Sequence, residues 1–126
     1  MTTENDGPNI FTESVYDLPE APYFRYLIAR TWPRGVTRGH VDQWDREIAP
    51  SLELLEAWRT DEIDEPTFEV RYEAELDQQP AMIRWAVRTA SMAGIVLVDD
   101  AHEEPSPRSV LARIIRRRAE VAGKSA

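Results

Sequence analysis

The stretch GIVLVD at Gly94–Asp99 decides the fold, because four apolar residues run without interruption between a glycine and an aspartate. A strand with one solvated face alternates apolar and polar side chains, whereas a short continuous apolar run is typical of a parallel strand covered on both faces. A second run, FRYLIART at 24–31, is also largely apolar. The two stretches predict interior strands of a small, mainly parallel sheet.

The segments around these two runs carry the signals of one more strand and of several helices. Residues 9–16 are short and rich in β-tolerant side chains, which predicts a first strand. Apolar residues recur every three or four positions in five stretches, a spacing that predicts helices at 41–48, 52–58, 64–76, 80–93 and from 106 onward. Strands separated by helices require crossovers, so we expect an α/β domain with helices flanking the sheet. The domain is expected at 9–122, with tails at 1–8 and 123–126.

Composition favours one soluble domain. Of 126 residues, 42% are hydrophobic, and four Trp, four Tyr and three Phe supply material for a single core. The absence of cysteine excludes disulfides, thiolate zinc sites and cysteine nucleophiles. The acidic, polar start is unlike a signal peptide, and no apolar run is long enough to span a bilayer. We therefore expect a cytoplasmic protein without a membrane partner.

The charge balance argues against nucleic acid as a partner. The chain holds 15 Lys and Arg residues against 23 Asp and Glu residues, a formal net charge of −8. A surface of that charge repels a phosphate backbone at long range.

The segment YLIARTWPRG at 26–35 resembles the YeaO-like family of bacterial proteins, a domain of unknown function whose members typically read VDRLWPRG at this strand end. The similarity continues through Trp44, EIAPS at 47–51, Phe68 and 71–76. It covers roughly residues 9–116. The resemblance implies an α/β fold and draws attention to the WPRG and APS segments, but it supplies no reaction.

Two departures from the family pattern concern activity. Ala29 stands where the family usually has an aspartate. The acidic loop from Asp99 to Glu104, followed by Pro107, replaces a basic loop that leads to an Asn-His pair in the family. If those family residues carry a reaction, the resemblance implies a divergent binding member that has lost it.

The leading functional hypothesis is a small anionic ligand bound where a strand ends and a helix begins. Two guanidinium groups beside a glycine turn can hold a carboxylate or phosphate through paired hydrogen bonds. A serine at a helix start adds a hydroxyl and backbone N–H groups, where the helix dipole favours an anion. We expect the ligand to contact Arg30, Trp32, Arg34, Gly35 and Ser51, with no cofactor. The alternative is that the arginines only tie loops to nearby acids and that the serine is only a cap.

A different hypothesis is a metal-dependent enzyme that uses the loop after the last strand. Asp99, Asp100 and His102 are the candidate ligands, with Glu103 and Glu104 beside them. Oxygen ligands with one imidazole suit Mg²⁺, Mn²⁺ or Fe²⁺ better than a closed zinc site. The alternative is that this loop is simply solvated.

A non-catalytic partner-binding or regulatory module is the remaining hypothesis. Residues 1–20 are acidic without a basic residue, whereas 108–126 hold six basic residues and one glutamate. Such oppositely charged ends could dock another chain electrostatically.

Overall fold

The computed structural model describes residues 8–125, with side chains through residue 123. This part of the chain forms four strands and four α-helices: β1 (Ile10–Ser14), β2 (Phe24–Leu27), β3 (Gln43–Trp44), α1 (Leu52–Arg59), α2 (Glu65–Leu76), α3 (Pro80–Met92), β4 (Ile95–Asp99) and α4 (Pro107–Ser125). The predicted tail at 1–8 falls outside the described residues except for Pro8. Helix α4 continues past the predicted domain end at 122. No described helix has both the length and the hydropathy needed to cross a bilayer.

The strands pair in parallel in the order β1-β4-β2-β3, which confirms the predicted α/β fold with a small parallel sheet. The apolar run at 95–99 is an interior strand, as predicted. Ile95 lies opposite Ile10 on one side and Phe24 on the other, and all five residues of β4 are buried. Because β4 lies between β1 and β2, each connection into the sheet has to cross over one of its faces.

The two faces of the sheet are covered differently. On one face, helices α2, α3 and α4 contribute the main core, in which Tyr26, Leu97 and Tyr72 are fully buried. On the other face the described core residues include none from an α-helix; Leu27 and Val98 are instead covered by residues of the loops at 15–23 and 29–41 and by Trp44 of β3. The loops that carry the WPRG segment therefore belong to the second face.

The prediction of a helix at 41–48 is wrong. This stretch forms β3 between two short 3₁₀ turns, Arg38–His40 and Arg46–Ile48. Gln43 and Trp44 pair with Tyr26 and Leu27 of β2, and the Trp44 indole donates to the Ala29 carbonyl at 2.6 Å. Pairing with an open sheet edge satisfies backbone groups that a short isolated helix would leave exposed at its ends.

Gly94 makes the tight turn from α3 into β4. Its φ is 111°, and its N–H donates to the Thr89 carbonyl at 2.8 Å. The ring of Tyr23 lies where a Cβ would project, with Cδ1 2.5 Å from that position. The close approach therefore requires glycine here.

Candidate functional site

A cavity of about 410 Å³ opens at the carboxyl ends of β2 and β4. In an open parallel sheet this edge is where ligands bind. The segments after the two strands, one face of α1 along its whole length and the start of α4 form its walls, with lining residues at 28–31, 49–50, 52, 55, 58–59, 99–101 and 105–107.

Arg30 is a half-buried cation held in the cavity wall. Its Nε donates to the Pro50 carbonyl at 3.1 Å and its Nη2 to the Ala49 carbonyl at 2.8 Å. Both acceptors are neutral. Among the described residues, no carboxylate forms an ion pair with this guanidinium, and its Nη1 donates to no protein atom. The side chain is therefore fixed while its charge and part of its donor edge remain available.

Asp99 has a structural role. It is 2% exposed, it forms an ion pair with the guanidinium of Arg108, and it accepts the Arg108 N–H at 2.9 Å and the Ala101 N–H at 3.1 Å. Burial raises the pKa of the Asp99 carboxyl, and the Arg108 charge offsets this only in part. The pair joins the end of β4 to the first turn of α4 and so fixes the back of the cavity.

The three candidate metal ligands are not gathered into a site. Asp99 is engaged with Arg108, Asp100 is exposed at the cavity, and the ring of His102 stacks on Tyr16 with centroids 5.1 Å apart. Across the part of the chain that the structure describes, no three His, Cys, Asp or Glu side chains are placed to hold a metal ion.

Ser106 contributes a buried hydroxyl to the cavity lining. The residue is 3% exposed, and its Oγ has no hydrogen-bond partner, although it lies close enough to Asp99 to lower the pKa of that carboxyl. Ser106 immediately precedes α4, in the position of a cap residue. Its carbonyl accepts the Ser109 and Val110 N–H groups as a cap residue's does, but the Asp99 carboxylate takes the Arg108 N–H.

Ser51 caps α1 but does not line the cavity. Its hydroxyl accepts the Leu54 N–H at 3.2 Å and donates to the Glu75 carboxylate at 2.6 Å. The Ser51 N–H donates to the other Glu75 oxygen at 2.8 Å. The anion predicted at this helix start is therefore supplied by the chain itself, from α2.

Trp32 lies on the loop-covered face of the sheet, away from Arg30. Its ring meets that of Trp44 edge to face at 5.3 Å, the Arg38 guanidinium lies 4.6 Å from the Trp32 ring centre, and that of Arg46 lies 5.0 Å from the Trp44 ring centre. We call these four side chains the arginine–tryptophan stack.

The five residues predicted for the anion site do not share one cleft. Arg30 lines the cavity, whereas Trp32, Arg34, Gly35 and Ser51 do not. Arg34 and Gly35 are exposed in the turn that follows Trp32. The expectation of a joint pocket is wrong because the chain after β2 divides, with Arg30 turned to the helical side and Trp32 to the loop-covered side.

Sequence reasoning missed Arg59, which lines the cavity. It lies seven positions after Leu52 and four after Leu55, so the three side chains share one face of α1. That spacing was a usable signal.

Three arginines of the basic end of the chain are paired within the molecule. Arg113, Arg117 and Arg118 of α4 form ion pairs, at N–O distances of 2.7 to 3.0 Å, with acids that recur every fourth position along α2 and the residue that follows it: Glu65, Glu69, Glu73 and Asp77. We call these ion pairs the α2–α4 ladder. The predicted docking of another chain on the basic end would have to compete with them.

Comparison with known proteins places the chain in a family. It matches the family described as "Inactive DUF488-N3 subclade" over residues 9–125. It is 42% identical over 73 residues to the uncharacterized protein YeaO of Escherichia coli (strain K12), an alignment that covers 56% of this chain and 64% of that protein. No solved structure matches it. The chain therefore belongs to the DUF488-N3i family and is YeaO-like.

Proposed function

We propose that the chain binds a small anionic ligand in the cavity at the carboxyl ends of β2 and β4, without catalysing a reaction. The observation that carries the proposal is Arg30, whose guanidinium is anchored by the Ala49 and Pro50 carbonyls but has no carboxylate partner among the described residues. A cation held in a cavity wall attracts an anion, and its open N–H groups can donate to two oxygens of one ligand.

Pre-organisation strengthens the case for Arg30. A free arginine side chain loses rotamer entropy when a ligand orders it, at a cost of roughly 0.5–1.5 kcal/mol. Here two hydrogen bonds to backbone have already ordered the side chain.

Three observations support binding without catalysis. The family is described as an inactive subclade. Ala29 lines the cavity at the position where the resemblance implies an aspartate. The cavity lining contains neither histidine nor cysteine, and the remaining acids there are Asp99, which is paired with Arg108, and Asp100.

The test is a thermal-shift and calorimetric screen of carboxylates, inorganic phosphate and nucleotides. We expect a saturable stabilisation, worth about 2.7 kcal/mol at a ligand concentration 100 times Kd. Arg30→Gln should abolish it. The exposed Arg34 makes a matched control outside the cavity, so Arg34→Gln should leave it unchanged. Failure of every anion class, or loss of binding in Arg34→Gln alone, would contradict the proposal.

A second candidate function is recognition of an acidic segment of a partner protein by the arginine–tryptophan stack. A guanidinium that lies over an indole uses its face and leaves its N–H edge free for carboxylates. Arg38 and Arg46 are exposed and have no ion pair among the described residues.

A glutamate-rich peptide distinguishes this surface from the cavity. Binding measured by calorimetry at low and high salt should weaken with salt and disappear in the double variant Arg38→Ala/Arg46→Ala. Arg84 and Arg88 are exposed on α3 and supply the control pair. Equal loss in Arg84→Ala/Arg88→Ala would show only nonspecific attraction.

A further inference from the structure

We infer that the ligand of the cavity is a small zwitterion with an apolar group, an amino acid being the simplest example. The ligand's carboxylate lies on Arg30, its ammonium on Asp100, and its apolar part against α1. This inference rests on the proposed function and specifies the class of ligand.

Asp100 is the feature that separates a zwitterion from a simple anion. Its exposed carboxylate lines the same cavity as Arg30, and within residues 8–123 it forms no ion pair or hydrogen bond through its side chain. Its neighbour Asp99, by contrast, is occupied by Arg108. Arg59 adds a second cation at the far end of the α1 wall, so the cavity carries both signs of charge. A simple anion on Arg30 leaves Asp100 without a partner, whereas a ligand with both charges satisfies both side chains.

The wall formed by α1 supplies the apolar surface. Leu52 is 62% exposed at the cavity, and Leu55 and Trp58 are half-buried beside it. Covering this apolar surface with an apolar group removes it from water and so favours the complex. The apolar group of the ligand can therefore pack against Leu52, which is exposed to solvent in the free protein.

The size of the cavity and Ser106 limit the ligand further. About 410 Å³ lies toward the small end of the range of roughly 300–1,000 Å³ that is usual for small-molecule sites. The buried Ser106 hydroxyl makes no hydrogen bond of ordinary geometry, although the Asp99 carboxyl lies beside it, and it can bond to a polar atom of a bound molecule. These features favour a small molecule over a peptide.

The test compares leucine with 4-methylpentanoate, which lacks the amine, and with 3-methylbutylamine, which lacks the carboxylate. Titration calorimetry on the full chain should give leucine at least a tenfold tighter Kd than the carboxylate, and no measurable binding of the amine. Asp100→Asn should bring leucine within about twofold of the carboxylate. The exposed Asp17 lies outside the cavity, so Asp17→Asn should preserve the tenfold preference.

The outcomes separate this inference from the function on which it rests. Equal affinity for leucine and the carboxylate, unaltered by Asp100→Asn, would overturn the zwitterion and leave the anion site standing. If the wild-type chain binds neither leucine nor 4-methylpentanoate, and also binds neither phosphate nor nucleotides in the screen above, the proposal of an anion site is itself overturned. Binding of the amine alone would overturn both.

Discussion

Glu75 on α2 accepts two hydrogen bonds from Ser51, one from the backbone N–H at 2.8 Å and one from the hydroxyl at 2.6 Å. An internal carboxylate thus lies at the start of α1, where the helix dipole favours negative charge. The contact joins α1 to α2 across 24 positions of sequence.

Glu75→Ala should therefore destabilise the fold without touching the cavity. Removing the carboxylate leaves the Ser51 N–H without its protein partner, and we expect the free energy of unfolding in urea to fall by about 1–3 kcal/mol. Glu120 is exposed on α4 and serves as the control, for which a change below about 0.5 kcal/mol is expected. Equal effects of the two substitutions would show that the contact contributes nothing.

The buried pair of Asp99 and Arg108 should behave as a coupled unit. Asp99→Ala leaves the guanidinium of Arg108, which is 4% exposed, without its buried partner, and we expect a loss of about 3–5 kcal/mol. The double variant Asp99→Ala/Arg108→Ala should cost clearly less than the two single losses combined. Additive losses, within about 0.5 kcal/mol in a double-mutant cycle, would refute the coupling.

The ladder between α2 and α4 should weaken in acid. Partial burial on its own raises the pKa of Glu69, but hydrogen bonds from Arg117 and Arg113 outweigh it, so the pKa lies below the ordinary 4.5. The folded state therefore binds this proton less readily than the unfolded state does. The stabilisation is complete above about pH 4.5 and is lost as the pH falls through the folded-state pKa.

Urea titrations at stepped pH values measure this effect. Glu69→Gln should flatten the loss of stability below pH 4.5, and added salt should reduce the wild-type slope. Glu53 is an exposed glutamate on α1 without an ion pair among the described residues, so Glu53→Gln should keep the wild-type slope. A slope identical in Glu69→Gln and the wild type would contradict the role of the ladder.

Gly94 and Gly39 offer a matched pair of glycine substitutions. Gly94→Ala places a Cβ against the Tyr23 ring at a positive φ. We expect the free energy of unfolding to fall by about 1–3 kcal/mol. Gly39 has open space around its Cβ position, so Gly39→Ala should leave stability unchanged or raise it by up to about 1 kcal/mol. Thermal unfolding of the two variants checks the order, and a reversed order would contradict the turn geometry.

Much of the fold could be predicted from the sequence because its decisive signals are local. The uninterrupted apolar run of β4 predicts burial on both faces, and the spacing of Phe68, Tyr72 and Leu76 identifies the buried face of α2. The stretch 41–48 could not be predicted in this way. Its structure depends on pairing with β2, about 17 positions earlier, rather than on its own periodicity.

The candidate site could be predicted only where it follows a strand end. Arg30 was found by that rule, and the structure places it in the cavity. Contacts between distant segments determine the rest: Glu75 accepts the hydrogen bonds of Ser51, and Trp32 packs on the opposite face of the sheet. No spacing within the WPRG or APS segments carries that information.

The position of β4 within the sheet also governs how the protein can be made. Ile95 pairs with Ile10, 85 positions earlier, and no described pairing joins β1 to β2 without β4. A nascent chain that has emerged only as far as α3 therefore holds β1 without a neighbour and β2 with one bare edge, because β3 pairs only with the other edge of β2. Translation has to pass residue 99 before the sheet can close, and a premature stop before that point leaves an aggregation-prone fragment instead of a smaller domain.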